Sequence, residues 1–298
     1  MKTQSINKKI DVSIIIVNYN CADMLIDAIM SVTQHTIGLC HEIIVVDNGS
    51  REGEIEKLQK TLQDDIILIT NPENIGFGGA NNIGIKQARG KYIFLLNPDT
   101  LLQDNAIKQF YDFAETHQNQ NIGALGCILT NKEGQAINSF GTFLTPSIIL
   151  RRILHCIKPI QYSFIEQPKE VDFITGADLF IPRQVLTEIG LFDPRFFMYC
   201  EEMDLQKRMA LKDYERILIP GTNIIHFDGA TYTQKNRRSA NRRLQHDKSK
   251  CIYIRKYYNG FRYLFFKIAF FLCKIPAYIN PHYTMKDNMK YLKMIITT

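Results

Sequence analysis

Four short apolar runs, separated by helical patterns, occupy the first third of the chain and limit the folds that it can adopt. The runs are rich in β-branched residues and cover residues 12–17, 42–46, 66–69 and 92–96. They show little alternation of apolar and polar residues, which is typical of strands buried on both faces of a parallel sheet. Helical patterns cover about residues 21–35, 53–63 and 78–88. This order predicts a doubly wound, mainly parallel α/β sheet.

Polar residues that favour turns follow each of these runs. The four polar segments are 18–20, 47–50, 71–74 and 97–99. Turn formation explains each segment taken singly, because Asn, Asp, Gly and Pro are common turn residues. In a doubly wound sheet, however, ligands bind beyond the carboxyl ends of the strands. The four segments together therefore predict a binding site at one edge of the sheet.

The composition supports a folded protein with an anionic partner. Of the 298 residues, 45% are hydrophobic and 22% are charged, which excludes a disordered chain. The formal net charge of +6 fits a nucleotide, a diphosphate or a membrane surface and is too small to indicate nucleic acid. The seven cysteines form no Cys-x-x-Cys pair, so a zinc site is not predicted.

The chain is predicted to be cytoplasmic. Its first eleven residues are polar, and the apolar run at 12–17 is too short for the core of a signal peptide. Reduced thiols fit this compartment. No segment has the roughly 18 to 20 uncharged apolar residues that a membrane span needs.

Asp99 and His226 each allow two interpretations. Pro98 ends the preceding strand, so Asp99 projects from the sheet edge, either as a turn residue that caps a helix or as a ligand. His226 ends an apolar stretch at 217–225, and a single histidine in such a place can be structural or metal-binding. As ligands, a carboxylate with an imidazole would suit a divalent ion such as Mg²⁺ or Mn²⁺, which can bridge to a diphosphate.

Glu201, Glu202 and Asp204 lie between an aromatic run at 196–199 and a helical pattern. Acidic residues at a helix start are favoured by the helix dipole, which is one explanation. The other is that one of them is a general base facing an acceptor hydroxyl. Glu201 and Asp204 share a helix face and Glu202 does not, and the pattern leaves the choice between them open.

The glycine-rich segment at 76–79 is not a dinucleotide-binding fingerprint. The third glycine would fall at position 81, which is Asn81, and no acidic partner follows at the right place. We expect these glycines to allow close approach of the backbone or tight packing of a helix on the sheet.

The C-terminal segment is predicted to form an amphipathic helical extension over 259–298, after a main domain at 1–258. On a helical wheel Lys256, Lys267 and Lys274 lie together, and the opposite side carries Phe261, Leu264, Ile268, Phe271 and Leu272. A basic helix lying in a membrane interface fits this pattern. A helix packed into the protein core is the alternative.

Seven segments together resemble the family 2 inverting glycosyltransferases of the GT-A fold, particularly their rhamnosyltransferase-like branch. They are SIIIVNYN (13–20), IIVVDNGS (43–50), NPENIGFGGANNIGI (71–85), YIFLLNPDT (92–100), FITGADLFIPR (173–183), GLFDPRFFMYCEEMDLQKR (190–208) and IPGTNIIHFDGATY (219–232). They occur in the family's order, and no single segment would be specific.

The resemblance implies a role for individual residues. The donor nucleotide-sugar site would contain Val17, Asn18, Tyr19, Asp47, Asn74, Gly76, Asn97 and Asp99, with Arg238 or Arg242 on the leaving diphosphate. Asp47 would contact the pyrimidine base. Asp99 and His226 would bind the divalent metal, Mg²⁺ or Mn²⁺. Glu202 would be the base, Asp204 would stand behind it, and Gly176, Ala177 and Tyr199 would line the acceptor site.

The family's branch also implies the substrates. The donor would be a nucleoside-diphosphate sugar such as a rhamnose donor, and the acceptor a glycan or a polyprenyl-diphosphate-linked glycan in surface polysaccharide synthesis. The chain would then work in the cytoplasm, with the inner membrane surface as a further partner and no nucleic acid.

Two departures from the family pattern affect these expectations. Glu202 stands where the family usually has Asp, so the role of base could pass to Glu201. Cys200 replaces a common aromatic residue. A non-catalytic nucleotide-sugar binding module is the alternative function. A sugar-1-phosphate nucleotidyltransferase is disfavoured, because residues 18–20 replace the Gly-rich loop that such enzymes have after the first strand.

Overall fold

A computed structural model describes residues 9–227 and 240–298 of the chain. The strands are β1 (Val12–Asn18), β2 (His41–Asn48), β3 (Ile67–Asn71), β4 (Tyr92–Leu96), β5 (Thr100–Leu102), β6 (Ile122–Gly126), β7 (Phe140–Gly141), β8 (Lys169–Glu170), β9 (Phe173–Ile174), β10 (Asp178–Pro182), β11 (Glu215–Leu218) and β12 (Ile224–His226).

The helices are numbered through the described residues. They are α1 (Ala22–His35), α2 (Glu52–Thr61), α3 (Phe77–Gln87), α4 (Ala106–Thr116), α5 (Pro146–Ile153), α6 (Arg183–Ile189), α7 (Glu201–Ala210), α8 (Ala240–Tyr257), α9 (Gly260–Cys273), α10 (Ile275–Tyr278) and α11 (Met285–Thr297). The first three confirm the helices predicted from the sequence to within two residues.

The main sheet confirms the predicted α/β class. Its eight strands follow the order β3-β2-β1-β4-β10-β6-β11-β8. The first four are parallel, and β10 is antiparallel to both of its neighbours. Strands β1 and β4 are buried at every position, which explains why their sequences show no alternation.

Helices cover both faces of the sheet, as a doubly wound arrangement requires. One hydrophobic cluster joins Ile14 and Ile16 to residues of α1, α2 and α4. A second joins Ile15 and Val17 to residues of α3, α6 and α7. Successive side chains of β1 therefore enter opposite layers, which fixes the strand's register and holds its carboxyl end in place.

The C-terminal helices share a third hydrophobic cluster with the preceding part of the chain. Tyr253 of α8, Phe266 and Phe270 of α9 and Tyr291 of α11 are buried there together with Phe196. Residues on both sides of position 258 thus contribute to one cluster. The predicted division of the chain at that position stays a prediction.

Two of the three lysines that the helical wheel grouped, Lys256 and Lys274, form ion pairs within the protein. Lys256 pairs with Asp204 at 2.6 Å and with Asp193 at 2.7 Å, and Lys274 pairs with Asp247 at 2.9 Å. The reason is electrostatic, because Asp204 and Asp247 are buried and a buried carboxylate needs a counterion.

Within the described ranges, no helix has the length and apolar character that crossing a membrane requires.

Candidate active site

Asn18 and Asp47 meet at the carboxyl ends of β1 and β2, where the parallel register pairs them. The Asn18 side-chain amide donates to Asp47 Oδ1 at 2.7 Å, and the backbone N–H of Ser50 donates to Asp47 Oδ2 at 3.0 Å. Both side chains are fully buried, whereas Tyr19 beside them is 48% exposed. From this buried position, Asp47 links the ends of β1 and β2 through its hydrogen bonds. Its predicted contact with a base stays a prediction.

The loop after β3 is fastened by Asn48, a residue to which sequence reasoning gave no role. The Asn48 amide donates to Asn74 Oδ1 at 3.0 Å, and Asn74 Oδ1 also accepts from the backbone N–H of Gly76 at 2.9 Å. The sequence signal for a role of Asn48 was its position in the polar segment at 47–50. These bonds hold the loop against the end of β2.

Gly76 allows this loop to touch the segment that precedes α7. Its φ is +83°, and a Cβ built there would lie 2.1 Å from the carbonyl oxygen of Phe197. That oxygen accepts a hydrogen bond from the Phe77 backbone N–H at 3.1 Å. The expected close approach of the backbone is confirmed at this position, and it ties the predicted donor side to the predicted acceptor side.

Asp99 and His226 lie side by side although they are far apart in the chain. Strands β5 and β12 form an antiparallel pair that sets His226 opposite Thr100. The His226 Nε2 atom lies 3.2 Å from Asp99 Oδ1 and 3.4 Å from the Asn97 side-chain nitrogen. The Phe227 backbone N–H also donates to the Asp99 carbonyl at 2.9 Å. Three polar side chains thus converge at the end of β4.

The short connection from β9 to β10 links this cluster to α7. The Ala177 carbonyl accepts from the Asn97 backbone N–H at 3.0 Å. A Cβ on Gly176 would lie 3.8 Å from the Glu202 Cβ. Gln206 of α7 bonds the backbone N–H and carbonyl of Ile174 at 2.8 and 2.7 Å. The structure therefore holds Gly176 and Ala177 between Glu202 and Asn97.

Glu201 and Glu202 begin α7 in an apolar environment. Burial raises the pKa of Glu201 well above its usual value, with a further rise from the charge of Glu202. Burial also raises the pKa of Glu202. Glu201 is only 5% exposed and Glu202 is more accessible. Elevated carboxyl pKa values at a strained site are typical of general acid–base residues.

The backbone before α7 is strained. Tyr199 and Cys200 have φ values of +69° and +66°, in the left-handed region that non-glycine residues seldom adopt. Such conformations cost of order 1–3 kcal/mol each and persist only where surrounding contacts enforce them. Here those contacts include the Ser249 hydroxyl of α8, which donates to the Met198 carbonyl at 2.7 Å.

Asp204 is a structural anchor of α7. It is fully buried and pairs with Arg208 at 3.1 Å and with Lys256 of α8 at 2.6 Å. The Tyr257 hydroxyl donates to it at 2.9 Å. Asp204 therefore fastens α7 to α8.

Three further residues with predicted roles, Tyr199, Arg238 and Arg242, come from the C-terminal half of the chain. The Tyr199 ring meets His246 of α8 edge-on, with ring centroids 5.2 Å apart. Arg242 lies in the first turn of α8. Arg238 lies outside the described residues, so its predicted contact with the leaving diphosphate stays a prediction.

Asp178 is a buried acid that sequence reasoning missed. It follows Ala177, is fully buried, and accepts from the Cys127 backbone N–H at 2.7 Å. Burial raises its pKa to about 7. An acid within the apolar segment 177–181 was the available signal.

Among residues 9–227 and 240–298, no three His, Cys, Asp or Glu side chains group as metal ligands do, so Asp99 and His226 stand as a pair.

Comparison with known proteins identifies a family for about half of the chain. Residues 13–157 match the model of the family Glycosyl transferase family 2. The chain carries a family 2 glycosyltransferase domain. A low-salt glycan biosynthesis hexosyltransferase of Haloferax volcanii is 31% identical over 65% of this chain and 60% of its own length. An N-acetylglucosaminyl-diphospho-decaprenol L-rhamnosyltransferase of Mycobacterium tuberculosis is 24% identical over 73% of this chain and 76% of its own.

Solved structures share the family 2 domain's GT-A-type fold. A mannosyltransferase from Pyrobaculum calidifontis, in complex with GDP-Man and Mn²⁺, superposes with a TM-score of 0.57 at 15% identity, covering 97% of this chain and 74% of its own. GalNAc-T7 with UDP, GalNAc and Mn²⁺ gives a TM-score of 0.63 at 15% identity, covering 97% and 56%. At this identity the likeness concerns the fold alone.

Proposed function

We propose that this chain is an inverting glycosyltransferase that moves a sugar from a nucleoside-diphosphate donor to an acceptor hydroxyl. The observation that carries the proposal is the convergence of Asp99 and His226 at the end of β4, with Glu202 joined to the same loop through residues 176 and 177. A metal-binding pair and a base held near each other are what a single displacement requires.

A divalent cation, Mg²⁺ or Mn²⁺, fits between Asp99 and His226. Two neighbouring ligands of an octahedral ion at 2.0–2.1 Å lie about 3 Å apart, and the two ligand atoms are 3.2 Å apart here. Bound there with the donor, the ion would act as a Lewis acid on the diphosphate. Asp99 supplies one carboxylate, so the remaining ligands would be donor phosphates and water.

Glu202 is proposed as the base. It is more accessible than Glu201, and its raised pKa makes its carboxylate a stronger proton acceptor than an exposed glutamate. It would take the acceptor proton at a side-chain oxygen while that hydroxyl attacks the sugar carbon opposite the leaving diphosphate. One displacement inverts the configuration at that carbon, by the logic known for inverting hydrolases.

The family's branch and the relatives support a proposal for the substrates. The proposed donor is a rhamnose donor or a similar nucleotide sugar, held by Val17, Asn18, Tyr19, Asn74 and Gly76. The proposed acceptor is a glycan or a polyprenyl-diphosphate-linked glycan near Gly176, Ala177 and Tyr199. Arg242, and Arg238 outside the described residues, would neutralise the departing diphosphate. The work would take place in the cytoplasm, at a membrane surface where the acceptor is lipid-linked.

Thermal-shift screening of nucleotide sugars with Mn²⁺ tests the proposal. The cognate donor should raise the Tm in the presence of metal, because a ligand that binds only the folded state stabilises it. Chromatography should then show slow donor hydrolysis that Glu202→Gln removes. Donor binding without hydrolysis or transfer to any offered acceptor would favour a non-catalytic binding module.

A further inference from the structure

Helix α9 presents one apolar face to the protein and a second apolar face to solvent. Phe266 and Phe270 are fully buried in the C-terminal cluster. Phe261, Phe265, Ile268 and Leu272, spaced to share one side of the helix, are 83%, 64%, 54% and 55% exposed. Packing among the residues that the structure describes therefore uses the first face and leaves the second uncovered.

The exposed row continues beyond the helix. Leu264 widens it within α9, and Ile275 at the start of α10 and Ile279 just after α10 are also exposed, at 48% and 78%. Single exposed apolar residues are normal on a protein surface, but a contiguous row marks an interaction surface. We call Phe261, Leu264, Phe265, Ile268 and Leu272 the α9 surface.

The C-terminal segment that carries the α9 surface is strongly basic. Residues 259–298 contain six lysines or arginines and one acid, Asp287. Lys274 pairs with Asp247, whereas Arg262, Lys286, Lys290 and Lys293 are exposed. Helix α5 packs into the same cluster and contributes exposed Arg151 and Arg152. An apolar row in a basic segment complements an anionic, partly apolar partner.

We propose that the α9 surface docks this protein onto an anionic lipid bilayer. The apolar row would enter the boundary between headgroups and acyl chains, and the cations of this segment would meet anionic headgroups. With 14 residues, α9 is too short to cross and would lie along the membrane. A second copy fits less well, because a twofold pairing of this face would bring like charges together.

This inference extends the proposed use of a lipid-linked acceptor but does not depend on it. Docking by α9 would hold the third cluster, and with it α7 and α8, next to the membrane. Glu202 at the start of α7 would then work close to the headgroup region. Bilayer binding is measured without donor, metal or acceptor, so its result is separate from that of the transfer proposal.

Vesicle flotation with the full chain tests the docking. The wild type should float with vesicles that contain phosphatidylglycerol and stay in solution with pure phosphatidylcholine. The variant Phe265→Ser with Ile268→Ser should bind the anionic vesicles at least about tenfold more weakly. The matched control Ile37→Ser, at a residue that is 68% exposed between α1 and β2, should bind as the wild type does.

A second variant tests the charge contribution. Replacing Lys286, Lys290 and Lys293 by Gln should weaken binding and reduce its dependence on salt. Equal melting temperatures show that every variant is folded. The proposal is overturned if the wild type ignores anionic vesicles, or if the α9 variant binds them unchanged. It is also overturned if light scattering finds a dimer that the α9 variant converts to a monomer, since a second copy then covers the surface.

Discussion

The His226 imidazole lies 3.2 Å from the Asp99 carboxylate because the antiparallel pairing of β5 with β12 sets His226 opposite Thr100, the residue after Asp99. Both Asp99→Asn and His226→Ala should therefore weaken Mn²⁺ binding at least about tenfold, or about 1.4 kcal/mol. Calorimetric titration with Mn²⁺ plus a nucleoside diphosphate measures this. Asn105→Ala, at a residue before α4, serves as the control and should leave Mn²⁺ affinity unchanged.

A single carboxylate makes metal binding depend on the donor. In Asn97→Asp a second carboxylate would stand beside His226, where the Asn97 amide nitrogen now lies 3.4 Å away. We expect this variant to bind Mn²⁺ without any nucleotide, whereas the wild type should need the diphosphate to complete the coordination. Calorimetry with Mn²⁺ alone decides the point, and equally weak binding by both proteins would argue against this site.

The two glutamates at the start of α7 can be separated by neutral substitution. Glu202→Gln should reduce turnover by at least about a hundredfold while the donor-induced rise in Tm survives, because general-base catalysis contributes roughly that much. Glu201→Gln should retain far more activity, since its side chain is less accessible. Full turnover by Glu202→Gln would transfer the role to Glu201.

A substitution at Gly76 tests the contact between the loop after β3 and the segment before α7. Gly76→Ala would place a Cβ 2.1 Å from the Phe197 carbonyl oxygen at a positive φ, so the loop must move. We expect a loss of about 2 kcal/mol or more in the free energy of unfolding, measured by urea denaturation. Gly53→Ala in α2, where nothing lies within 4 Å of the added Cβ, should be neutral or slightly stabilising.

Asp178 gives a specific pH dependence. Its folded pKa of about 7 exceeds the ordinary value of 3.8, so the folded state holds its proton more tightly than the unfolded state does. The free energy of unfolding should therefore fall as pH rises from about 4 to about 7 and level off above, by roughly 1.4 kcal/mol for each pKa unit. Asp178→Asn should lack this slope, and parallel profiles for both proteins would contradict the assignment.

The pH dependence of stability that Asp247 contributes has the opposite sign to that of Asp178. Burial opposes its ionisation, but the His246 hydrogen bond and the charges of Lys250 and Lys274 hold its pKa well below 3.8. Its stabilisation should be complete above about pH 4 and should diminish as pH falls further. Asp247→Asn should cost about 3 kcal/mol at pH 7 and show a shallower acid dependence, as measured by urea unfolding.

Local burial could be predicted from the sequence, whereas long-range partners could not. The runs at 12–17 and 92–96 mark strands because their continuous apolar character reports burial on both faces. The insertion of β10 between β4 and β6, antiparallel to both, leaves no comparable pattern. Neither does the pairing of β5 with β12 that brings His226 to Asp99.

The candidate site follows the same division. The polar segments at the strand ends predicted where Asn18, Asp47 and Asp99 would gather, because parallel strands end at one edge. The fate of charged residues was harder to predict. Sequence reasoning placed Lys256 on a basic helix face and gave Asp178 no role, yet Lys256 neutralises Asp204 and Asp178 is fully buried. Burial of a charge depends on partners that other parts of the fold supply.

The way β12 returns to β5 has a consequence for recombining such proteins. The segment 13–157 that matches the family contains Asp47 and Asp99, whereas Glu202 and His226 come from the second half. A chimera that joins this first half to another relative's second half would exchange the acceptor side. It would also replace the strand that supplies His226 to the proposed metal-binding pair. Swaps intended to change only the acceptor must therefore preserve the register between residues 100–102 and 224–226.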